Sequence, residues 1–587
     1  MKITLALALS IAAPVAAQAT TTIAAAPAAS GDAAFRQLSE REYAWRKTLT
    51  GPGEDSPTSR NAALPDVGPA AQARMTQRWT ETMAALDRID PATLGPAARD
   101  DYTVYRAQIA ALLARQQFRD YEKPLNADTS FWIDLAGMAR ENYRDEAALR
   151  LYLSQLASVP RYFDEQIANM RAGLKRGFTP PRVTLQGRDA GVRAVVEAGA
   201  GEASPFYAPF RTLPATIPAA RQAALRADAK RVIAQAVVPA HATLMAFLRD
   251  EYIPGAQEKL AAYDLPDGRN YYRSKVREFV TRDLPPEEIH AIGLREVAKI
   301  RARMQTVMTQ VGWQGDLTSF LNHLRTDPQF YAKTPQDLLN RAAWIAKTFD
   351  GKAATYFGRL PRMRFAIKAV DPDIAPFYTS GRGGPGIYLL NTYDLPSRGL
   401  YSLPALTLHE SAPGHAFQMP FAMELTDLPE YRRNEYISAY GEGWALYCEA
   451  LGEDMGMYET PYDLFGMLSY QMWRAARLVV DTGIHSKGWT RAQAQAFLRD
   501  NTALSNHEIT TEVDRYIAWP GQALSYYMGE LAFLDARAKA QAALGEAFDY
   551  RAFHDAMLSL GSVPLPMIDA RVDRFIAAKG KGPYPLP

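Results

Sequence analysis

The sequence predicts a mainly α fold carrying one small antiparallel β-sheet, and three observations predict it. Apolar residues recur at helical spacing through most of 35–113, 143–175 and 218–252. Only two short β-prone runs stand out, Arg364 to Val370 and Gly386 to Asn391. Hydrophobic residues make up 48% of the 587 and charged residues 22%, which suits a large packed core.

Taken in chain order, Lys2, the apolar stretch Ile3 to Val15 and Ala17-Gln18-Ala19 read as a signal peptide over 1–19. The stretch is shorter than the roughly 20 apolar residues a bilayer span needs. No cysteine follows it, so the expectation is a periplasmic or secreted protein without a lipid anchor or a later membrane segment. Residues 20–32 read as a flexible Ala/Thr/Pro leader. An N-terminal helical region over 33–270 and a catalytic helical region with the sheet over 271–587 are expected to form one continuous unit. Pro285-Pro286-Glu287-Glu288 opens a helix running to about Val311, because proline fits the first turn and acids suit its positive end.

Several function classes are excluded early. A net charge of +2 gives no global attraction to nucleic acid. A single cysteine, Cys448, excludes an internal disulfide and a thiolate metal site. Gly381 to Gly386 matches G-x-G-x-x-G by letters, but Pro385 and a β-prone run follow where a phosphate-binding helix must start.

The chemistry concentrates in Leu408-His409-Glu410-Ser411-Ala412-Pro413-Gly414-His415. Two imidazoles bind a divalent metal, and a neighbouring carboxylate deprotonates the water that the metal activates. In H-E-x-x-H the histidines are four apart, about 40° around a helix; six apart is about 120°, too far for one ion. Pro413 breaks the helix, and Gly414 is expected to take positive φ and swing His415 back beside His409. The other reading is a helix end with a chance histidine pair.

A third ligand is available downstream. Glu442 lies 27 residues after His415, between two glycines, and Glu449 lies two turns further along the same face. Glu442 is preferred as ligand, with Glu449 orienting a ligand histidine; the reverse assignment stays open.

The segments Pro286-Glu-Glu-Ile-His290, His409-Glu-Ser-Ala-Pro-Gly-His415, Glu442-Gly-Trp-Ala-Leu-Tyr447, Asp481-Thr-Gly-Ile-His485 and Arg515-Tyr516…Pro520-Gly-Gln-Ala523 resemble the bacterial domain-of-unknown-function 885 family. The resemblance covers about residue 35 to the C-terminus. It implies a large helical, zincin-like metallopeptidase fold, with a histidine spacing longer than in H-E-x-x-H.

Other residues are expected to serve the site. The run 386–391 is a candidate edge strand for an extended substrate, with Asn391 as a contact. Tyr526, with Tyr527 and His485 as alternatives, is a candidate oxyanion donor. Arg515 is a candidate for binding a substrate carboxylate. His241, His290, His323, His507 and His554 are assigned structural roles.

The expectation is an exported hydrolase of peptide-type amide bonds, with one Zn2+ on His409, His415 and Glu442 and with Glu410 as general base. A metal-dependent esterase or amidase and a non-catalytic helical binding protein are the rivals. Manganese or cobalt would suit the same donors. No particular oligomeric state is implied.

Overall fold

Helices dominate because strong start and stop signals bracket long amphipathic runs. The computed structural model describes residues 31–49, 51, 61–126, 129–372 and 374–585. The signal peptide and residues 20–30 of the leader lie outside them. Gly31 and Asp32, read as leader, instead begin the helix Gly31–Arg46. The 143–175 run divides into Glu146–Ala157 and Val159–Arg176, with Pro160 in the first turn of the second.

Seven helices and three strands position the site. They are α1 (Pro286–Gln310), β1 (Ala366–Ala369), β2 (Gly381–Gly384), β3 (Ile387–Leu390), α2 (Leu403–Glu410) and α3 (His415–Met423). α4 (Ser438–Asp454), α5 (Pro461–Lys487), α6 (Asn506–Ala518) and α7 (Leu524–Leu544) follow. The start of α5 shows the local logic. Thr460 Oγ1 accepts the Asp463 N–H, Asp463 accepts the Thr460 N–H, and Pro461 occupies the first turn.

The sheet departs from expectation. Its order is β1-β3-β2, with β3 antiparallel to β2 but parallel to β1, so it is mixed rather than antiparallel. The chain crosses from β1 to the far edge before a two-residue turn, Pro385-Gly386 with Gly386 at φ 81°, returns it as the central strand. Since β3 is paired on both sides, 386–391 is not an edge; the edges are β1 and β2, and the glycines of β2 hide its strand character.

The core forms four apolar clusters. One is built wholly from residues 64–256, and a second joins the first helices to Tyr431. The other two pack on opposite sides of α2. Leu403, Leu406 and Leu408 enter one and Ala405 the other, which leaves every residue of α2 buried. α4 lies against α7 at backbone contact: a Cβ on Gly443 would stand 2.4 Å from the Gly529 Cα. One described helix, Ala219–Gly255, is long and apolar enough to cross a membrane, contrary to the expectation of no later apolar span; its buried residues build the 64–256 cluster.

Candidate metal centre

α2 ends at Glu410, and the reversal that follows creates the centre. Gly414 does not take positive φ; it sits at φ −74° and ψ −131°. The residue must be small for another reason. A Cβ there would lie 1.8 Å from the His409 carbonyl oxygen and 2.5 Å from that of Leu408. The Gly414 N–H donates to the Leu408 carbonyl at 3.0 Å, closing the loop so that α3 starts with His415 beside α2. Trp444, fully buried on α4, donates its indole N–H to the Pro413 carbonyl at 2.8 Å. That bond ties the reversal to the helix bearing Glu442.

The two imidazoles meet with ring centroids 4.9 Å apart at 85°. Glu442 Oε2 lies 3.5 Å from His409 Nε2 and 3.4 Å from His415 Nε2. Four-coordinate zinc with bonds of about 2.0–2.1 Å separates its ligand atoms by about 3.3–3.4 Å. The spacings therefore match two edges of such a tetrahedron. His409, Glu410 and His415 also bring donor atoms within 4.8 Å of one another. Of the two glutamates, Glu442 has one oxygen placed between both histidine nitrogens. Glu410 instead has Oε2 held by the Gly383 N–H of β2 at 2.6 Å.

A supporting layer fixes these side chains. His409 Nδ1–H donates to Glu449 Oε1 at 2.8 Å, so Nε2 is the nitrogen turned toward Glu442 and the one that would face a metal ion. Glu449 is fully buried, with Arg474 Nη2 4.0 Å away. Tyr436 donates its hydroxyl to Glu442 Oε1 at 2.9 Å. Its ring is 38% exposed while the hydroxyl is turned inward, where desolvation and Glu442 raise its pKa. Nothing in the sequence pattern pointed to Tyr436, six residues before Glu442 and outside the helix. The ring contact beneath it, which a Cβ on Gly441 would fill at 2.2 Å, is visible only in space.

The carboxylates and imidazoles stabilise one another's charged forms. Burial works against a charged His409, yet Glu442 and Glu449 outweigh it and raise its pKa to about 10. Glu442 is held well below the usual carboxylate range: burial opposes this, and the charges of His415 and His409 overcome it.

The structure thus brings together His409, Glu410, His415 and Glu442, with Glu449 behind His409. Tyr526 is half-buried, accepts from Arg515 Nη2 at 3.2 Å and lies under the Arg477 guanidinium at 4.4 Å. It is close enough to add to the negative field on Tyr436. Arg515 also donates to Gln522 at 2.9 Å.

His485 and Asn391 are occupied elsewhere. His485 is fully buried, with Nδ1 accepting the Ala262 N–H at 3.1 Å and Nε2 donating to the Tyr516 carbonyl at 2.8 Å. Its partner in the motif, Asp481, accepts from the Tyr272 hydroxyl and from the Gly521 N–H. Asp481 and His485 therefore lock α5 to its neighbours. The Asn391 amide donates to the carbonyls of Ala375 and Tyr378 and accepts the Tyr393 N–H, so it ties the strand end to its flanking loops.

The family model described as a bacterial protein of unknown function (DUF885) matches residues 46–572. The chain belongs to this family. Its fold is shared with two solved structures in particular. The "putative lipoprotein" from Colwellia psychrerythraea is 24% identical with a TM-score of 0.86, over 94% of this chain and 100% of that one. A "putative lipoprotein of unknown function" from Shewanella oneidensis is 16% identical with a TM-score of 0.69, over 92% and 99%. Among curated proteins, none matches in sequence. The DUF885 match spans both helical regions, so the His409–His415 loop and the Glu442 helix belong to one family unit.

Proposed function

We propose that this DUF885 chain is an exported, zinc-dependent hydrolase of peptide-type amide bonds. One observation carries the reading. A carboxylate oxygen stands at ligand-to-ligand distance from two imidazole nitrogens, and a second glutamate waits beside them with one oxygen already anchored.

His409, His415 and Glu442 would hold the ion, and two nitrogens with one oxygen suit zinc, with manganese or cobalt as substitutes. When bound, a divalent ion polarises the scissile carbonyl and acidifies the attacking water. Glu410 takes the proton of that water and returns it to the leaving nitrogen. The Gly383 N–H fixes one carboxylate oxygen and so orients the other. Tyr526, which accepts from Arg515 and keeps its own O–H, supplies the hydroxyl for the developing oxyanion, while Tyr436 spends its proton on Glu442. Export follows from the pattern of residues 1–19, and the lipoprotein names of the two structural neighbours agree with a place in the cell envelope.

The test is elemental analysis of the purified protein together with digestion of a mixed peptide pool and an ester panel. We expect one zinc per chain and cleavage of peptides in preference to esters. Glu410→Gln should retain metal and lose turnover. Absence of metal from the protein, with no activity gained on adding zinc, overturns the reading in favour of a binding protein.

A further inference from the structure

Basic side chains are unevenly spread along the chain. Residues 347–368 hold six of them, Lys347, Lys352, Arg359, Arg362, Arg364 and Lys368, against one acid, Asp350, whereas the whole chain carries a net charge of only +2. This stretch runs from the helix Pro335–Tyr356 across the surface into β1. Phe365 and Ile367 pack against the core, so the alternation of an extended chain turns Arg362, Arg364, Ala366 and Lys368 outward, where all four are exposed. Arg364 and Lys347 each reach Asp350 at 3.1 Å, which fixes this row beside the helix. Arg362 and Lys368 form no ion pair among the described residues. The other acid at hand, Glu424, is occupied by the backbone N–H groups of Arg362 and Met363. Arg359 and Lys352 face elsewhere, the first over the Phe421 and Tyr584 rings and the second toward Gly456.

Apolar side chains project from the same surface. Eight large ones are exposed among the described residues, and Trp344, Leu360, Met363 and Met423 are four of them. Trp344, 60% exposed, precedes Lys347 by one helical turn. Leu360 and Met363 lie on either side of Arg362, and Met423, at the end of α3, adjoins Glu424. Phe349, Pro361, Ala412 and Phe417 line a shallow crease with Met363 and Arg364, so the surface rests on packed elements. Cations separate the apolar tips instead of rimming one dry patch. That mixture suits a bilayer boundary, where headgroups and acyl chains interleave, better than the charge-depleted centre of a protein interface.

We propose that this surface docks the protein on an anionic phospholipid bilayer. Lys347, Arg362, Arg364 and Lys368 meet the headgroups, and Trp344, Leu360, Met363 and Met423 enter the boundary beneath them.

Co-sedimentation of the protein with two kinds of vesicle tests it, one of phosphatidylcholine alone and one of equal parts phosphatidylcholine and phosphatidylglycerol. Each basic side chain at an anionic surface strengthens binding about fivefold, so Arg362→Gln with Lys368→Gln should weaken binding to the mixed vesicles about twentyfold. Arg362→Lys with Lys368→Arg keeps both charges and should bind like the wild type. Leu360→Ser with Met363→Ser should weaken binding about tenfold through lost apolar contact. Salt of about 1 M, with a screening length of about 3 Å, should release most of the wild type. Circular dichroism checks that each variant is folded, as exposed positions lead us to expect. Equal binding to the two kinds of vesicle, no binding to either, or unchanged binding in the glutamine or the serine variant overturns the proposal. Sedimentation velocity without lipid guards the choice of occupant: a dimer that the same two variants dissociate would assign the surface to a second copy of the chain and overturn the membrane assignment.

Discussion

Replacing Gly414 with alanine should destroy the metal centre without touching a ligand. The new Cβ would lie 1.8 Å from the His409 carbonyl oxygen and 2.5 Å from that of Leu408. Ordinary carbon-to-oxygen contact is about 3.3 Å, so about 1.5 Å of separation is missing. Neither obstacle is a side chain that can rotate away. Overpacking usually costs about 1–3 kcal/mol, and a clash with two backbone carbonyls belongs at or above the upper end. Relief requires α3 to move away from α2, carrying His415 with it. Functional sites tolerate about 0.5 Å of misplacement, a third of the shift needed. Zinc affinity should therefore fall by about a hundredfold or more, while helix content, dominated by elements far from residue 414, changes little. Competition with a chromophoric chelator measures the affinity, and circular dichroism with a thermal melt reports the fold. A well-folded Gly414→Ala protein binding zinc as tightly as the wild type would refute the claim that close approach at this residue makes the site.

Further outcomes follow from the supporting layer. Glu449→Gln keeps an acceptor for His409 Nδ1 but loses its charge, and zinc affinity should drop by about tenfold to a hundredfold by chelator competition. In chelator-treated protein, the His409 pKa of about 10 stands above the unfolded value of about 6.5. Its stabilisation is complete below pH 6.5 and is lost as pH rises through 10, so melts in chelator should fall over that window. Zinc, which replaces the proton, should flatten the fall, and identical pH profiles with and without zinc would contradict this. Glu530 is fully buried and accepts from Gln471; burial, with help from Glu449, pushes its pKa up to about 8. Its folded pKa exceeds the unfolded value, so it costs stability increasingly from about pH 4 to pH 8. Glu530→Gln should raise the melting temperature by an amount that grows with pH and levels off above about 8; a constant gain would argue against the buried acid.

The parts of the site legible in the sequence are those carried by residue type and local stereochemistry. Two histidines and an adjacent glutamate are rare enough together to mark a metal motif, and Pro413 announces a helix end wherever it falls. The Pro285-Pro286-Glu287-Glu288 segment holds the start of α1, which begins at Pro286. Asn391 and His485 show the opposite case. Both are residue types that contact substrates and also satisfy buried backbone, and the sequence cannot say which groups will face them. β2 escaped notice because three of its four residues are glycine, a composition that disfavours strands and is tolerated here by pairing with β3.

The sequence by itself determined the helical class, the candidate donor types and the point where α2 must stop, because each depends on interactions within a few residues. Tertiary structure alone decided the rest. It set which glutamate meets the histidines, that Gly414 serves close approach rather than left-handed φ, that β3 is central with β1 and β2 as the edges, and that Tyr436 caps the Glu442 carboxylate. These are matters of distance between segments far apart in the chain, settled by how α4 packs on α7 and how two apolar clusters grip α2. Local propensity does not encode such distances, since packing optimises many contacts at once.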